Sequence, residues 1–240
     1  MSFLQDTNNF PLAMGAYELE TPFKANNYQG EPTNPLLMLI PGSVPIVISA
    51  PHAVKHYRNQ QPKSEDIRTG ALARQLAQLT GAHAIISART TQEDDPNWNQ
   101  AGLYKSKLAE LVQVCGARFV LDIHGMSDNH GRDVIIGTAE GKNLCGKPFL
   151  AEVLLHSLQQ HGLSHSGIDE LRYKAASAHT ISSYISREYC IPTMQLEIAR
   201  KFRNIREQPA NYEMLLRALL AAISSMLVAI KTNEIKSNGL

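Results

Sequence analysis

Short apolar runs alternate with amphipathic stretches from about residue 45 to residue 231. IVISA (46–50) is a β-branched run closed by Pro51, and HAIIS (83–87), ARFVLDIH (117–124), DVIIGT (133–138) and TMQLEIA (193–199) share its character. Runs of this length, rich in Val, Ile and Phe and nearly free of alternation, predict strands buried on both faces. Between them apolar residues return at helical spacing. Over 64–81, Ile67, Ala71, Leu72, Leu76 and Leu79 fall near one face, and Gly81 supplies a stop. Leu103, Leu108, Leu111 and Val112 predict a helix over 100–115. Further helices are expected near 145–161, around 179–189 and over 209–231. Residues 1–44 carry much Asn, Pro and Gly and read as a segment that wraps the domain edge. Strand–helix alternation with apolar strands implies an α/β fold, a sheet covered by helices on both faces. Strand order is not legible from this pattern.

Composition narrows the function. The 240 residues carry no low-complexity linker, so a single domain spanning 1–240 is expected. The formal net charge is +1, with both signs spread along the chain. That balance argues against nucleic acid or an anionic membrane as partner. Three widely spaced cysteines, Cys115, Cys145 and Cys190, form no CxxC pair. They imply neither a disulfide framework nor a thiolate zinc site, and they fit a reducing, cytoplasmic setting. The first ten residues lack the basic start and apolar core of a signal peptide. The longest apolar run, Met214 to Ile230, includes Arg217, Ser224 and Ser225 and falls short of the ~20 residues of a spanning helix. It reads as a buried terminal helix. No GxGxxG, Walker A, HExxH or GxSxG motif occurs.

The chemistry sits at three strand ends. The first strand runs into Pro51-His52, the third into Asp122-Ile123-His124-Gly125, and the last contains Glu197. Ligands in open α/β sheets gather outside the carboxyl ends of strands, so these side chains can converge. A hydrolytic zinc site takes neutral imidazoles and a carboxylate and leaves one position open for water. His52 and His124 are the candidate imidazoles. Asp66 or Glu65, at the start of the following helix, is the candidate carboxylate, and helix-start anions are also favoured by the dipole alone. Asp122 shares a strand face with His124 at period two and can brace it as an outer acceptor. Glu197 is the only acid in an apolar strand, which calls for a partner or a task, and burial there raises its pKa. The other seven histidines show no partner pattern.

In this order the motifs resemble the N-formylglutamate amidohydrolase family, related in fold to the zinc carboxypeptidases. They are a strand ending in Pro51-His52, a carboxylate opening the next helix, Asp122-x-His124 and Leu196-Glu197-Ile198. The likeness runs from about Ile46 to Arg203. It implies a three-layer αβα sandwich with a mixed, mostly parallel sheet. It also implies one Zn2+ held by His52, a helix-start carboxylate and His124, with Glu197 as general base. Asp66, three residues before Thr69, matches the family's Asp-x-x-Thr spacing, and Glu65 is the alternative. Arg89, followed by Asp95-Pro96-Asn97, matches the family's substrate-binding stretch and implies that Arg89 and Asn97 bind the substrate's carboxylate. Trp98 stands where those enzymes carry an arginine, and Ala53-Val54 follows His52 where they carry a small residue and Gly. The expected activity is hydrolysis of the amide of an N-acyl amino acid such as N-formylglutamate. The alternatives are a carboxypeptidase-like or γ-glutamyl or cell-wall peptide hydrolase and, after it, a non-catalytic binding domain that keeps the scaffold without the chemistry.

Overall fold

The computed structural model describes residues 11–91 and 95–238. Its centre is a seven-stranded sheet. In chain order the strands are β1 (Leu37–Ile40), β2 (Val44–Ala50), β5 (Ala82–Ser87), β6 (Phe119–Met126), β7 (Val134–Gly137), β8 (Gly167–Ile168) and β9 (Thr193–Ala199). Across the sheet they lie β1-β5-β2-β6-β9-β7-β8. The central strands β5, β2, β6 and β9 are mutually parallel. β1 and β7 pair antiparallel at either side, and β8 follows β7. The sheet is therefore mixed and mostly parallel, as expected, and its apolar central strands are buried along their length.

Helices cover both faces. On one, α3 (Thr69–Thr80), α5 (Phe149–Gln160) and α8 (Pro209–Asn238) enclose the larger core around Ile48, Leu121, Ile123 and Leu196. On the other, α4 (Leu103–Val114) and α6 (Ile181–Tyr189) pack Tyr104, Leu108 and Ile185 onto Val47, Ile85 and Val120. Gly81 closes α3 in the left-handed conformation at φ 73°, and its N–H returns to Ala77 O. α8 is longer than the 209–231 read from the sequence, and over Pro209–Ile235 it is long and apolar enough to cross a membrane. Leu215, Leu216, Leu219, Ile223 and Met226 are buried in the core, so packing accounts for its apolar stripe.

Three features depart from the sequence reading. The first 44 residues contain helices α1 (Pro11–Leu19) and α2 (Thr21–Tyr28) as well as β1, an edge strand of only four residues. α2 is interrupted where Asn26 and Asn27 turn left-handed. A polar hairpin, β3 (His56–Arg58) and β4 (Gln61–Lys63), stands apart from the main sheet. Asn59 and Gln60 both take positive φ, 50° and 62°, in its two-residue turn, as the twist of a tight hairpin demands. Finally, α3 begins at Thr69 rather than residue 64, because Arg68 is left-handed at φ 69° and ends any helix reaching back from it. Glu65 and Asp66 therefore belong to the preceding turn. A short helix, α7 (Arg200–Arg203), follows β9 directly.

Candidate metal centre and substrate cleft

The carboxyl ends of β2, β6 and β9 lie side by side, so His52, His124 and Glu197 meet at one edge of the sheet, with His124 and Glu197 in direct register. The Asp66 turn is fixed from both sides. The Asp66 N–H donates to His52 O at 2.8 Å. Thr69 donates to Asp66 O from both its N–H (3.1 Å) and its hydroxyl (2.7 Å). The left-handed Arg68 gives its N–H to the buried carboxylate of Glu20 at 2.9 Å, and Tyr28 OH donates to the same oxygen. This scaffold aims the Asp66 side chain at the two imidazoles.

Three donor atoms from three segments form a small triangle. His52 Nδ1 lies 3.1 Å from His124 Nδ1, His124 Nδ1 3.2 Å from Asp66 Oδ2, and His52 Nδ1 3.4 Å from Asp66 Oδ2. Tetrahedral zinc with bonds of about 2.0–2.1 Å sets its ligand atoms about 3.3–3.4 Å apart. Two imidazole nitrogens face each other at 3.1 Å, so at most one of them carries a proton toward the other. The donor set fits a divalent cation in type, spacing and charge. Glu65 does not join it; its side chain lines the adjacent cleft. Lys63 Nζ also approaches, 3.2 Å from His52 Nδ1.

Each ring is braced at its far nitrogen. His52 Nε2 lies 3.0 Å from Asp95 Oδ1, and His124 Nε2 lies 3.0 Å from Asp122 Oδ2. A carboxylate behind a ligating imidazole fixes its tautomer and raises its basicity. Asp122 also accepts from Ser49 Oγ at 2.7 Å, and Ser49 contacts Tyr104 OH. Asp95 is fully buried and takes an ion pair from Arg58 at 2.6 Å. Asn97 reaches His124 Nε2 at 3.0 Å, and its carbonyl caps Ile181 N at the start of α6. The charges follow from these contacts. Burial opposes ionisation of Asp66, but hydrogen bonds to His124 and His52 outweigh it and hold the acid well below its usual range. Burial likewise disfavours the His124 cation, yet Asp122, Asp66 and Glu197 together raise its pKa to about 10. Without a metal, this pocket of negative charge holds a proton on His124.

Beside the triangle opens a cleft of about 810 Å3. Glu197 is buried at its floor, and Gln195 Nε2 donates to Glu197 Oε1 at 2.9 Å. Burial, partly offset by the His124 charge, pushes the Glu197 pKa up to about 7. Arg58, Lys63 and Arg172 bring three cationic side chains to the cleft, and Arg58 lies over the Trp98 ring at 4.7 Å. Arg89 corrects the sequence reading. It donates to Pro32 O at 2.6 Å and lines a separate cavity behind the His56 side, so it does not reach the cleft. The chain leaving β5 is drawn toward the N-terminal segment, where Ala88 N–H and Arg89 N–H bond to Leu36 O. Sequence reasoning passed over Arg58, Lys63, Arg172 and Gln195 and gave Asp95 no role. Asp95 alone had a signal, its place in Asp95-Pro96-Asn97.

The fold has solved counterparts. It is similar to gene product Atu2144 from Agrobacterium tumefaciens, at 13% identity over 82% of this chain and 97% of that one, with a TM-score of 0.54. It is also similar to YNDL in a zinc-free apo form, at 13% identity over 78% and 88%, with a TM-score of 0.50. A bacteriophage poly-gamma-glutamate hydrolase lies further off, at 16% identity over 83% and 92%, with a TM-score of 0.49. At such identities the likeness is one of fold. No family model and no curated protein matches the sequence.

Proposed function

We propose that this chain is a zinc-dependent hydrolase of amide bonds in carboxylate-bearing substrates. The carrying observation is the His52–Asp66–His124 triangle, with Glu197 buried beside it at the floor of an open cleft. His52, Asp66 and His124 would hold the ion, which supplies Lewis acidity to a carbonyl and lowers the pKa of water. Glu197 accepts the proton of the attacking water and returns it to the leaving nitrogen. A group with a pKa about 7 suits both halves of that transfer at neutral pH. Gln195 orients the Glu197 carboxyl through Oε1. Asp95 and Asp122 keep the imidazoles turned toward the triangle. Lys63, Arg58 and Arg172 replace Arg89 as the groups that attract the substrate's carboxylate.

Two substrate classes fit this chemistry. The ordered motifs favour an N-acyl amino acid such as N-formylglutamate. The cleft volume favours a longer γ-glutamyl or peptide chain, because about 810 Å3 falls in the range that accommodates drug-sized ligands. Turnover of N-formylglutamate and of γ-glutamyl oligomers by zinc-loaded protein, with Glu197→Gln as control, separates them. Amide hydrolysis that is lost with chelation and lost in Glu197→Gln supports the proposal. Activity that survives both overturns it.

A further inference from the structure

Arg203, at the end of α7, is buried directly beneath the site and lies outside the cleft. Its three guanidinium nitrogens donate to three carbonyls: Nε to Ile198 O at 3.0 Å, Nη2 to Met126 O at 3.3 Å, and Nη1 to Ile67 O. These three acceptors come from different parts of the chain. Ile67 directly follows Asp66, Ile198 directly follows Glu197, and Met126 lies two residues beyond His124. Gly125, next to His124, sits against the same guanidinium. A Cβ at that position would come within 2.5 Å of Arg203 Cζ and Nη2. The glycine of the Asp-x-His-Gly motif therefore makes room for the arginine.

We propose that Arg203 is a positioning residue, a planar staple that sets the relative placement of Asp66, His124 and Glu197. The proposal rests on the functional reading of those three residues above. The guanidinium is suited to the task. Its five N–H groups lie in one plane at fixed angles, so three carbonyls bound to it are held at fixed separations. Burying such a charge is costly unless its hydrogen bonds are satisfied and opposite charge is near. Here burial lowers the Arg203 pKa, the charges of Asp66 and Glu197 work against that lowering, and the three carbonyls satisfy the N–H groups. A lysine offers a single nitrogen and cannot reach three acceptors with the same geometry.

The test is the zinc affinity of the metal-free protein, measured by chelator competition, with the absorption spectrum of the cobalt(II) form as a readout of donor geometry. The variants are Arg203→Met, Arg203→Lys and Gly125→Ala. Changes to groups that orient metal ligands typically weaken metal binding by ~10–100-fold. Arg203→Met is expected to show a loss of that size and an altered cobalt spectrum, and Arg203→Lys a smaller loss. Gly125→Ala keeps the charge but displaces the guanidinium, and it should weaken zinc binding as well. If Arg203→Met does not fold, Arg203→Lys and Gly125→Ala carry the test. A merely structural arginine would lower the melting temperature and leave affinity and spectrum at parent values in the folded variants, and that result overturns the proposal. A parent protein that binds no zinc overturns the site reading together with it, whereas parent-like affinity in the variants overturns the staple alone.

Discussion

His52 faces two clusters of the same composition, each completed by one more imidazole and one carboxylate. On its Nδ1 side are His124 and Asp66, with all three donor atoms between 3.1 and 3.4 Å apart. On its Nε2 side are His56 and Asp95. There the two rings stack, with centroids 4.1 Å apart, instead of pointing their nitrogens at one centre, and His56 Nε2 is 3.8 Å from Asp95. Asp95 is also already neutralised by Arg58. Burial, with the nearby charges of His52 and Lys63, lowers the His56 pKa to about 3, so His56 is an uncharged packing partner. Residue types alone do not distinguish these clusters. What separates them is the direction of the lone pairs and whether the carboxylate's charge is already matched. On this reading the first cluster binds the ion and the second aims His52.

The largest effect expected is on turnover. Glu197→Gln should lower kcat by ~10²–10⁴-fold while zinc stoichiometry stays at the parent value, since Glu197 is in neither cluster. Steady-state kinetics beside metal analysis checks this, and near-normal kcat in a metal-loaded variant would contradict it. Next comes the bracing role of the second cluster. Asp95→Asn should weaken zinc binding by ~10–100-fold, and chelator titration reads the change. An unchanged affinity would mean that Asp95 serves Arg58 rather than His52.

A graded effect is expected with pH. His124 must be neutral to bind metal, and its pKa in the metal-free protein is about 10. Below that value, each unit fall in pH should weaken zinc binding about tenfold through this one proton. The stability of the metal-free fold is expected to depend on pH in the opposite sense. A histidine pKa raised from 6.5 contributes stability that is fully present below about 6.5 and is lost as pH rises toward about 10. Chemical denaturation of the metal-free protein across pH 6 to 10 reads that slope, and a flat profile would contradict the assigned charge. The smallest effect is expected at Arg89. Bound to Pro32 O and remote from the cleft, it should leave kcat/KM unchanged when replaced by Ala, whereas Arg172→Ala should raise KM for carboxylate substrates.

The contrast between the clusters also marks how far the sequence could be read. Buried parallel strands announce themselves through runs such as IVISA and ARFVLDIH, because both faces must be apolar. The strand ends then place His52, Asp122, His124 and Glu197 together by a general property of such sheets. The hairpin over 56–63 carries no such signal. Its sequence HYRNQQPK is polar throughout, and its turn is built by Asn59 and Gln60 in left-handed conformations rather than by a glycine. Arg58 and Lys63 were hidden with it. Arg89 was misread for a related reason. Its distance along the chain from β5 is visible, but its direction depends on the pairing of β1 with β5, which places the N-terminal segment beside it. Asp66 was preferred to Glu65 by its spacing from Thr69; the left-handed Arg68 leaves both outside the helix, and it is the Asp66 carboxylate that lies against the two imidazoles.

Zinc stoichiometry measured in parallel on the parent protein, His124→Ala and His56→Ala tests the central claim most directly. Both changes remove one buried imidazole beside His52, so their effects on packing are comparable. The expected result is one zinc per chain in the parent, one in His56→Ala and essentially none in His124→Ala, with all three folded. Full occupancy in His124→Ala, or its loss in His56→Ala alone, would contradict the account.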